Sequence, residues 1–231
     1  MTVEFDTATG HLRLSRESFD PLVTRVGDDA LRRAGALIAD EPHPSIAASL
    51  QAVVDARCRL FLELVDDQGR KHGDGWVADH GAALLFDTAD GLCEFVGLPA
   101  VLVPAAVARL VGLEPRPQAD DAPHHLSSEQ YEELIPGHPA RIDENSTRLA
   151  AALASGRWRR WTATATWSDR NGDPASTGLH VLDTEAGWYL CTASETEAVI
   201  TPTNATAIWR RLTLLLPDEV GPIDDREVLS G

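Results

Sequence analysis

The sequence predicts an α+β fold in which one unit of strands and helices is built twice. Three observations carry this: a recurring turn, the same order of signals around each copy, and strand-like alternation set between helix-like runs. The segment Leu85-Phe86-Asp87-Thr88-Ala89-Asp90-Gly91 is echoed by Val181-Leu182-Asp183-Thr184-Glu185-Ala186-Gly187, 96 residues from Asp87 to Asp183. Self-similarity at a long period turns the question to which unit is repeated and how two copies bury a common core.

Asp-Thr-Ala-Thr-Gly at Asp6 to Gly10 is a third, shorter echo, followed by His11-Leu12-Arg13-Leu14 and the cap Ser15. From Glu17 to Leu37 apolar residues fall at helical spacing, with Pro21 tolerated in the first turn and Gly27 as a break, which predicts two helical pieces. Ser45 caps a helix running to about Val54. Strands follow near 58–65, 75–79, 82–87 and 92–96, separated by Gly- and Asp-rich turns such as Asp66-Asp67-Gln68-Gly69, as antiparallel hairpins require. Behind the first echo lie Val101-Leu102-Val103-Pro104 and a helix carrying Val107, Leu110 and Val111.

The second copy repeats this order. Leu149 and Leu153 precede the strand Trp161 to Trp167 and the turn Ser168-Asp169-Arg170-Asn171-Gly172; Val199-Ile200-Thr201-Pro202 and a helix with Ile208, Trp209, Leu212 and Leu215 follow. Two halves, about 1–113 and 145–217, are thus expected within a single domain. Between them residues 114–144 hold Pro115, Pro117, Pro123, Pro136 and Pro139 among many acids, which predicts a long loop with one short helix, Ser127 to Leu134, capped by Ser127 or Ser128. Such loops are functional or mobile. The acidic tail 218–231 is expected to fray.

Composition excludes several classes. With 36 acidic against 20 basic residues the net charge is −16, so a phosphate backbone is repelled and nucleic acid is not an expected partner. No apolar run reaches the ~20 residues that span a bilayer, and no basic segment followed by an apolar stretch opens the chain as an export signal would; no membrane partner and a cytoplasmic location are the expectation. Lys71 is the single lysine, a bias expected of a high-GC genome such as that of an actinobacterium. Cys58, Cys93 and Cys191 are too few and too scattered for a metal or disulfide framework, and are expected as reduced, buried thiols, Cys93 and Cys191 on related strands.

No catalytic constellation stands out. None of the eight histidines sits in HExxH, and phosphate-cradling or nucleophile-elbow motifs are absent as sequence signals. His124-His125 with Asp120 or Asp121 is the one candidate metal cluster, weighed against solvated residues in a proline-rich loop. The Asp87-Thr88 and Asp183-Thr184 pairs are explained by side chains satisfying the backbone in turns. No enzyme and no cofactor are expected.

Tryptophan is more informative: Trp158, Trp161, Trp167, Trp188 and Trp209 all lie in the second half. Alternation along 161–167 puts Trp161, Ala163, Ala165 and Trp167 on one face and Thr162, Thr164 and Thr166 on the other. A sheet with its apolar side under helices and its threonine side in water follows. The threonine face, or the aromatic edge with Trp158, Arg157, Arg159 and Arg160, is a candidate docking surface, since Trp and Arg anchor interfaces. The candidate contacts are Trp158, Trp161, Thr162, Thr164 and Thr166, with the 115–140 loop as a second contact.

The order of these segments resembles the EspG family of ESX (type VII) secretion-associated proteins. The resemblance rests on Leu12-Arg13-Leu14-Ser15-Arg16-Glu17-Ser18-Phe19 with Leu22, Val26 and Gly27, on Gly81-Ala82-Ala83-Leu84-Leu85, and on Val181-Leu182-Asp183-Thr184 with Gly187, Tyr189 and Leu190. Val199, Thr201-Pro202 and the run from Ile208 to Leu216 complete it. It implies a pseudo-twofold α+β fold, a central antiparallel sheet with helices packed on one side, and a cytosolic chaperone that keeps helical secretion substrates, PE/PPE- or WXG100-like, soluble and export-competent. Alternatives are an immunity or inhibitor protein whose acidity suits a basic toxin, and a small-molecule enzyme using His124 or His125. A homodimer through the threonine face would mimic the partner site.

Overall fold

The computed structural model describes residues 3–23, 29–119, 122–134 and 148–217. The first half runs β1 (Glu4–Asp6), β2 (His11–Leu14), α1 (Phe19–Val23), α2 (Asp29–Arg33), β3 (Leu37–Ile38), β4 (Glu41–Pro42), α3 (Pro44–Val54), β5 (Cys58–Asp66), β6 (Gly69–Ala78), β7 (Gly81–Asp87), β8 (Cys93–Leu98) and α4 (Val103–Leu110). The chain continues with β9 (His124–Ser127), α5 (Ser128–Glu132), α6 (Arg148–Ala154), β10 (Trp158–Ser168), β11 (Pro174–Thr184), β12 (Gly187–Ala193), β13 (Glu197–Thr203) and α7 (Ala205–Thr213).

Eleven strands form one antiparallel sheet in the order β1-β2-β8-β7-β6-β5-β10-β11-β12-β13-β9, and β3 pairs with β4 apart from it. Outward from the central β5–β10 pair, both directions read alike: three further hairpin-connected strands, then a strand from earlier in the chain, β2 beside β8 and β9 beside β13. The sheet is therefore pseudo-twofold about the β5–β10 pair, where Leu62 stands opposite Ala163.

The repeat does not run through the turn that announced it. Matching strands by place in the sheet sets β6 against β11 and β7 against β12, so the two-residue hairpin loop ending at Gly81 corresponds to the one ending at Gly187. The backbone agrees: φ is 153° at Gly81 and 144° at Gly187, but 79° at Gly91. The two Asp-Thr-x-x-Gly segments thus fall one hairpin apart, because turn residues recur wherever a reversal needs them. For the same reason Cys93 on β8 and Cys191 on β12 occupy non-equivalent strands, and Pro104 lies in α4 whereas Pro202 lies in β13.

The segment 114–144 is not loop throughout. His124–Ser127 carries no proline, so its N–H groups are free to join a ladder, and it pairs along β13 with Leu126 buried at 6% exposure. The predicted short helix follows as α5, where Ser127 Oγ accepts from Gln130 N and Gln130 answers to Ser127 N, a capping box. α3 is capped by His43, whose Nδ1 accepts from Ser45 N, two residues before the Ser45 expected from the sequence. The predicted break at Gly27 and the tail 218–231 lie outside the described residues.

Helices cover both faces of the sheet, which corrects the one-sided layer expected from the sequence. Strand alternation shows it: Ala82 and Leu84 belong to the core with Val103, Val107, Ile208 and Leu212 of α4 and α7, while Ala83 and Leu85 pack with Ile46 and Leu50 of α3. A third cluster sets Leu149 and Leu153 of α6 on Leu182, Tyr189 and Ile200. α4 and α7 thus cover the centre of one face, and α3 and α6 cover two wings of the other. Between those wings the centre of the second face is bare among the described residues.

Candidate partner-binding face

Cross-strand register arranges the bare centre in rows. Arg59, Phe61 and Glu63 of β5 stand directly opposite Thr166, Thr164 and Thr162 of β10. β6 and β11 extend each row, giving Trp76-Arg59-Thr166-Ser176, then Asp74-Phe61-Thr164-Gly178, then His72-Glu63-Thr162-His180. The pseudo-twofold therefore sets a charged and aromatic strand against a threonine strand. Phe61 is 45% exposed, the one large apolar side chain so exposed in the described part of the eleven-stranded sheet. It borders an open concavity of about 510 Å³ shared with Glu63, His72, Asp74, Thr162 and Thr164. At Gly178 the His180 ring and Thr164 lie close by, their Nε2 and Oγ1 3.5 and 3.6 Å from where a Cβ would stand.

The charges on this face are unevenly neutralised. Arg16 Nη1 donates to Asp74 at 2.5 Å, and Arg70 Nη1 lies 3.2 Å from Glu63. Arg59 has no ion-pair partner among the described residues. Burial and the nearby Arg160 cation depress the pKa of His180, so it is neutral at physiological pH and offers one donor and one acceptor.

The threonines lie where strand alternation puts them, half-buried on the bare face. The tryptophans do not accompany them, and both are corrected to core residues. Trp161 is 1% exposed beneath α4 and α7, and Trp158 is 4% exposed on the opposite face beneath α6, since an odd separation in a strand reverses the face. Both indole N–H groups are buried without a hydrogen-bond partner among the described residues. Arg159 points to the α4 side, Arg157 pairs with Glu185 at 3.4 Å on the surface, and Arg160 lies on the threonine side.

The two Asp-Thr pairs divide their work differently from the turn chemistry expected. The threonines hold the turns: Thr88 Oγ1 donates to Leu92 O and Thr184 Oγ1 to Gly187 O. The aspartates hold distant arginines instead. Asp87 accepts from Arg16 at 2.9 Å. Asp183, 3% exposed, accepts from Arg116 Nε at 3.1 Å and from Arg159 Nε at 2.6 Å. Arg116 also stacks on Trp188 at 5.8 Å, and Trp188 Nε1 donates to Glu114 O at 2.9 Å. The near part of the join is therefore strapped across β11 and β12.

The remaining candidates carry no site chemistry. Burial pushes the thiols of Cys58 and Cys93 up to about 11 and that of Cys191 to about 12. His125 Nδ1 lies 2.7 Å from Glu197, His124 Nε2 is buried with no hydrogen-bond partner among the described residues, and Asp120 and Asp121 lie outside them. Among the described residues no group of three His, Cys, Asp or Glu is placed to hold a metal, and no helix is long and apolar enough to cross a membrane.

Arg59, Phe61 and Glu63 were not singled out by sequence. The signal was present in the alternation of Leu60, Leu62 and Leu64 with these three, but which face stays bare depends on helices distant in the chain.

Fold and face together define a pseudo-twofold α+β sheet protein whose central face is open on one side. The model of the EspG family matches residues 8–213, and the chain belongs to that family. Among solved structures it is similar to the Mycobacterium tuberculosis type VII secretion system chaperone EspG5, determined in complex with a PE25-PPE41 dimer, with TM-score 0.59 and 13% identity over 90% of this chain and 97% of that one. No curated protein matches it in sequence. Family membership and the shared fold support a type VII secretion chaperone role.

Proposed function

We propose that this chain is a cytoplasmic, non-enzymatic chaperone that binds helical type VII secretion substrates of the PE/PPE class on the bare centre of its sheet, with Thr162, Thr164 and Thr166 in contact. The observation that carries the placement is that, among the described residues, α3 and α6 flank this centre without covering it, while α4 and α7 cover the opposite face. A rigid sheet with an apolar side chain and a polar surround suits masking an apolar helical tip. The EspG family supplies the substrate class, as EspG5 was solved with PE25-PPE41. The chain acts as a single unit of two halves, the second opening with β9 rather than after residue 145.

The test is affinity purification of the full chain from its native cytoplasm beside a Thr164→Arg variant. Helical secretion proteins retained by the wild type and lost by the variant, at unchanged melting temperature, bear the placement out. Equal retention by both refutes it.

A further inference from the structure

The bare face is polar along its strands, and that polarity selects a partner. Resting on the chaperone reading, we propose that Arg59 and Phe61 form a two-point reader for a helical partner that carries a carboxylate one turn from a large apolar side chain, the apolar group seated against Phe61 and Thr164 and the carboxylate on Arg59.

Charge complementarity commits the occupant. The chain carries −16, so an acidic partner is repelled over most of its surface and a basic one is attracted almost anywhere. Arg59 is a cation without an ion-pair partner among the described residues, set in the one region where a large apolar side chain of the main sheet is exposed. At the opposite end of the same strand Glu63 is paired with Arg70, and Asp74 beside Phe61 is paired with Arg16. Arg160, opposite Val65 beyond Glu63, likewise has no ion-pair partner among the described residues, so a free cation stands at each end and Arg59 is the one in the row next to Phe61. A carboxylate one turn from the apolar group seated on Phe61 is favoured at Arg59, one row away, whereas Arg160 stands two rows away on the other side, past Glu63.

The spacing fits a helix. Residues two apart on a strand stand about 6.6 Å from one another, close to the 5–6 Å that separates side chains one turn apart on a helix. Thr166 and Ser176, beside Arg59 in its row, supply hydroxyls that can both donate and accept.

The test uses the full chain with photoreactive benzoylphenylalanine at position 61, expressed in its native cytoplasm, and maps the cross-linked peptide by mass spectrometry. The expected peptide is helical and has Asp or Glu one turn from the cross-linked apolar residue. Arg59→Glu is expected to lower the cross-link at least tenfold, Arg59→Lys to keep most of it, and reversal of the partner's acid to Arg to restore binding to Arg59→Glu. Arg59 is exposed, so these variants fold, as an unchanged melting temperature verifies. A helical secretion partner that co-purifies but cross-links elsewhere, or is indifferent to Arg59→Glu, overturns the reader and leaves the chaperone reading standing. A wild-type chain that retains no such partner overturns both, and a cross-link to a second copy of this chain makes the face a dimer interface and overturns the reader.

Discussion

Asp183→Asn tests how the join is fastened. The carboxylate is 3% exposed and serves two guanidiniums, Arg116 and Arg159, whose side chains are 31% and 27% exposed. Replacing it by an isosteric amide keeps the volume but leaves Arg159 without its counter-charge and Arg116 with Glu114 alone, 2.9 Å from its Nη1. Removing one partner of a fully buried pair costs about 3–5 kcal/mol. Here water reaches roughly a quarter to a third of each arginine and recovers part of that, so about 2–3 kcal/mol is expected. For a chain of this size each kcal/mol lowers the melting temperature by about 2–4 °C, which predicts a fall of about 5–10 °C by circular dichroism or scanning fluorimetry. Glu185→Gln, in the surface pair with Arg157, serves as the control and should stay within about 0.5 kcal/mol. Arg116→Ala in the Asp183→Asn background should cost less than in the wild type, as residues sharing one network do. If Asp183→Asn melts within 2 °C of the wild type, the strap contributes nothing to folding and the account of the join is wrong.

Other expectations follow from the same geometry. Trp161→Ala should destabilise by about 3–5 kcal/mol by opening a cavity beneath α4 and α7, whereas Thr164→Ala should move stability by less than about 0.5 kcal/mol; similar losses at both sites would contradict the assignment of core and surface. Gly187→Ala should cost more than about 1 kcal/mol, because φ is 144° and a Cβ there would meet Pro117 O at 2.8 Å, and denaturant titration reads it directly. The three thiols should resist Ellman's reagent in the native protein at pH 8 and react fully in denaturant, since all three remain protonated well above that pH. Their raised values add stability that is full below about pH 9 and is lost as pH rises toward 11 and 12; unfolding midpoints that rise across that window would contradict the burial.

Much of the fold was legible because its strands are local. Leu60, Leu62 and Leu64 alternate with Arg59, Phe61 and Glu63, and Thr162 to Thr166 alternate with Trp161 to Trp167, so hairpins and faces follow from a period of two. What failed was correspondence at a distance. Asp87-Thr88 and Asp183-Thr184 look like copies because a Thr hydroxyl and a Gly suit any reversal, and only the ladder, with Gly81 and Gly187 closing equivalent two-residue loops, shows which turns match. Trp158 and Trp161 were grouped as one aromatic edge although three residues of strand put them on opposite faces, each under a helix whose position the local sequence does not record.

The same limit explains the binding face. A threonine ladder alone cannot be told from an ordinary wet sheet surface, and its meaning changes once β5 is known to be its neighbour. With the pseudo-twofold passing between Leu62 and Ala163, a symmetric duplication would have made Thr162 the counterpart of Phe61, Thr164 that of Glu63 and Arg160 that of Arg59. The chain keeps arginine at both ends, Arg59 and Arg160, but sets an aromatic ring and an anion on one central strand where the other has threonine hydroxyls. Folding does not require that asymmetry, because neither row is buried by α3 or α6 and both strands complete their ladders equally well. An asymmetric, directional partner such as a single helical tip does require it, for a face with true twofold chemistry would accept that tip in two opposite directions.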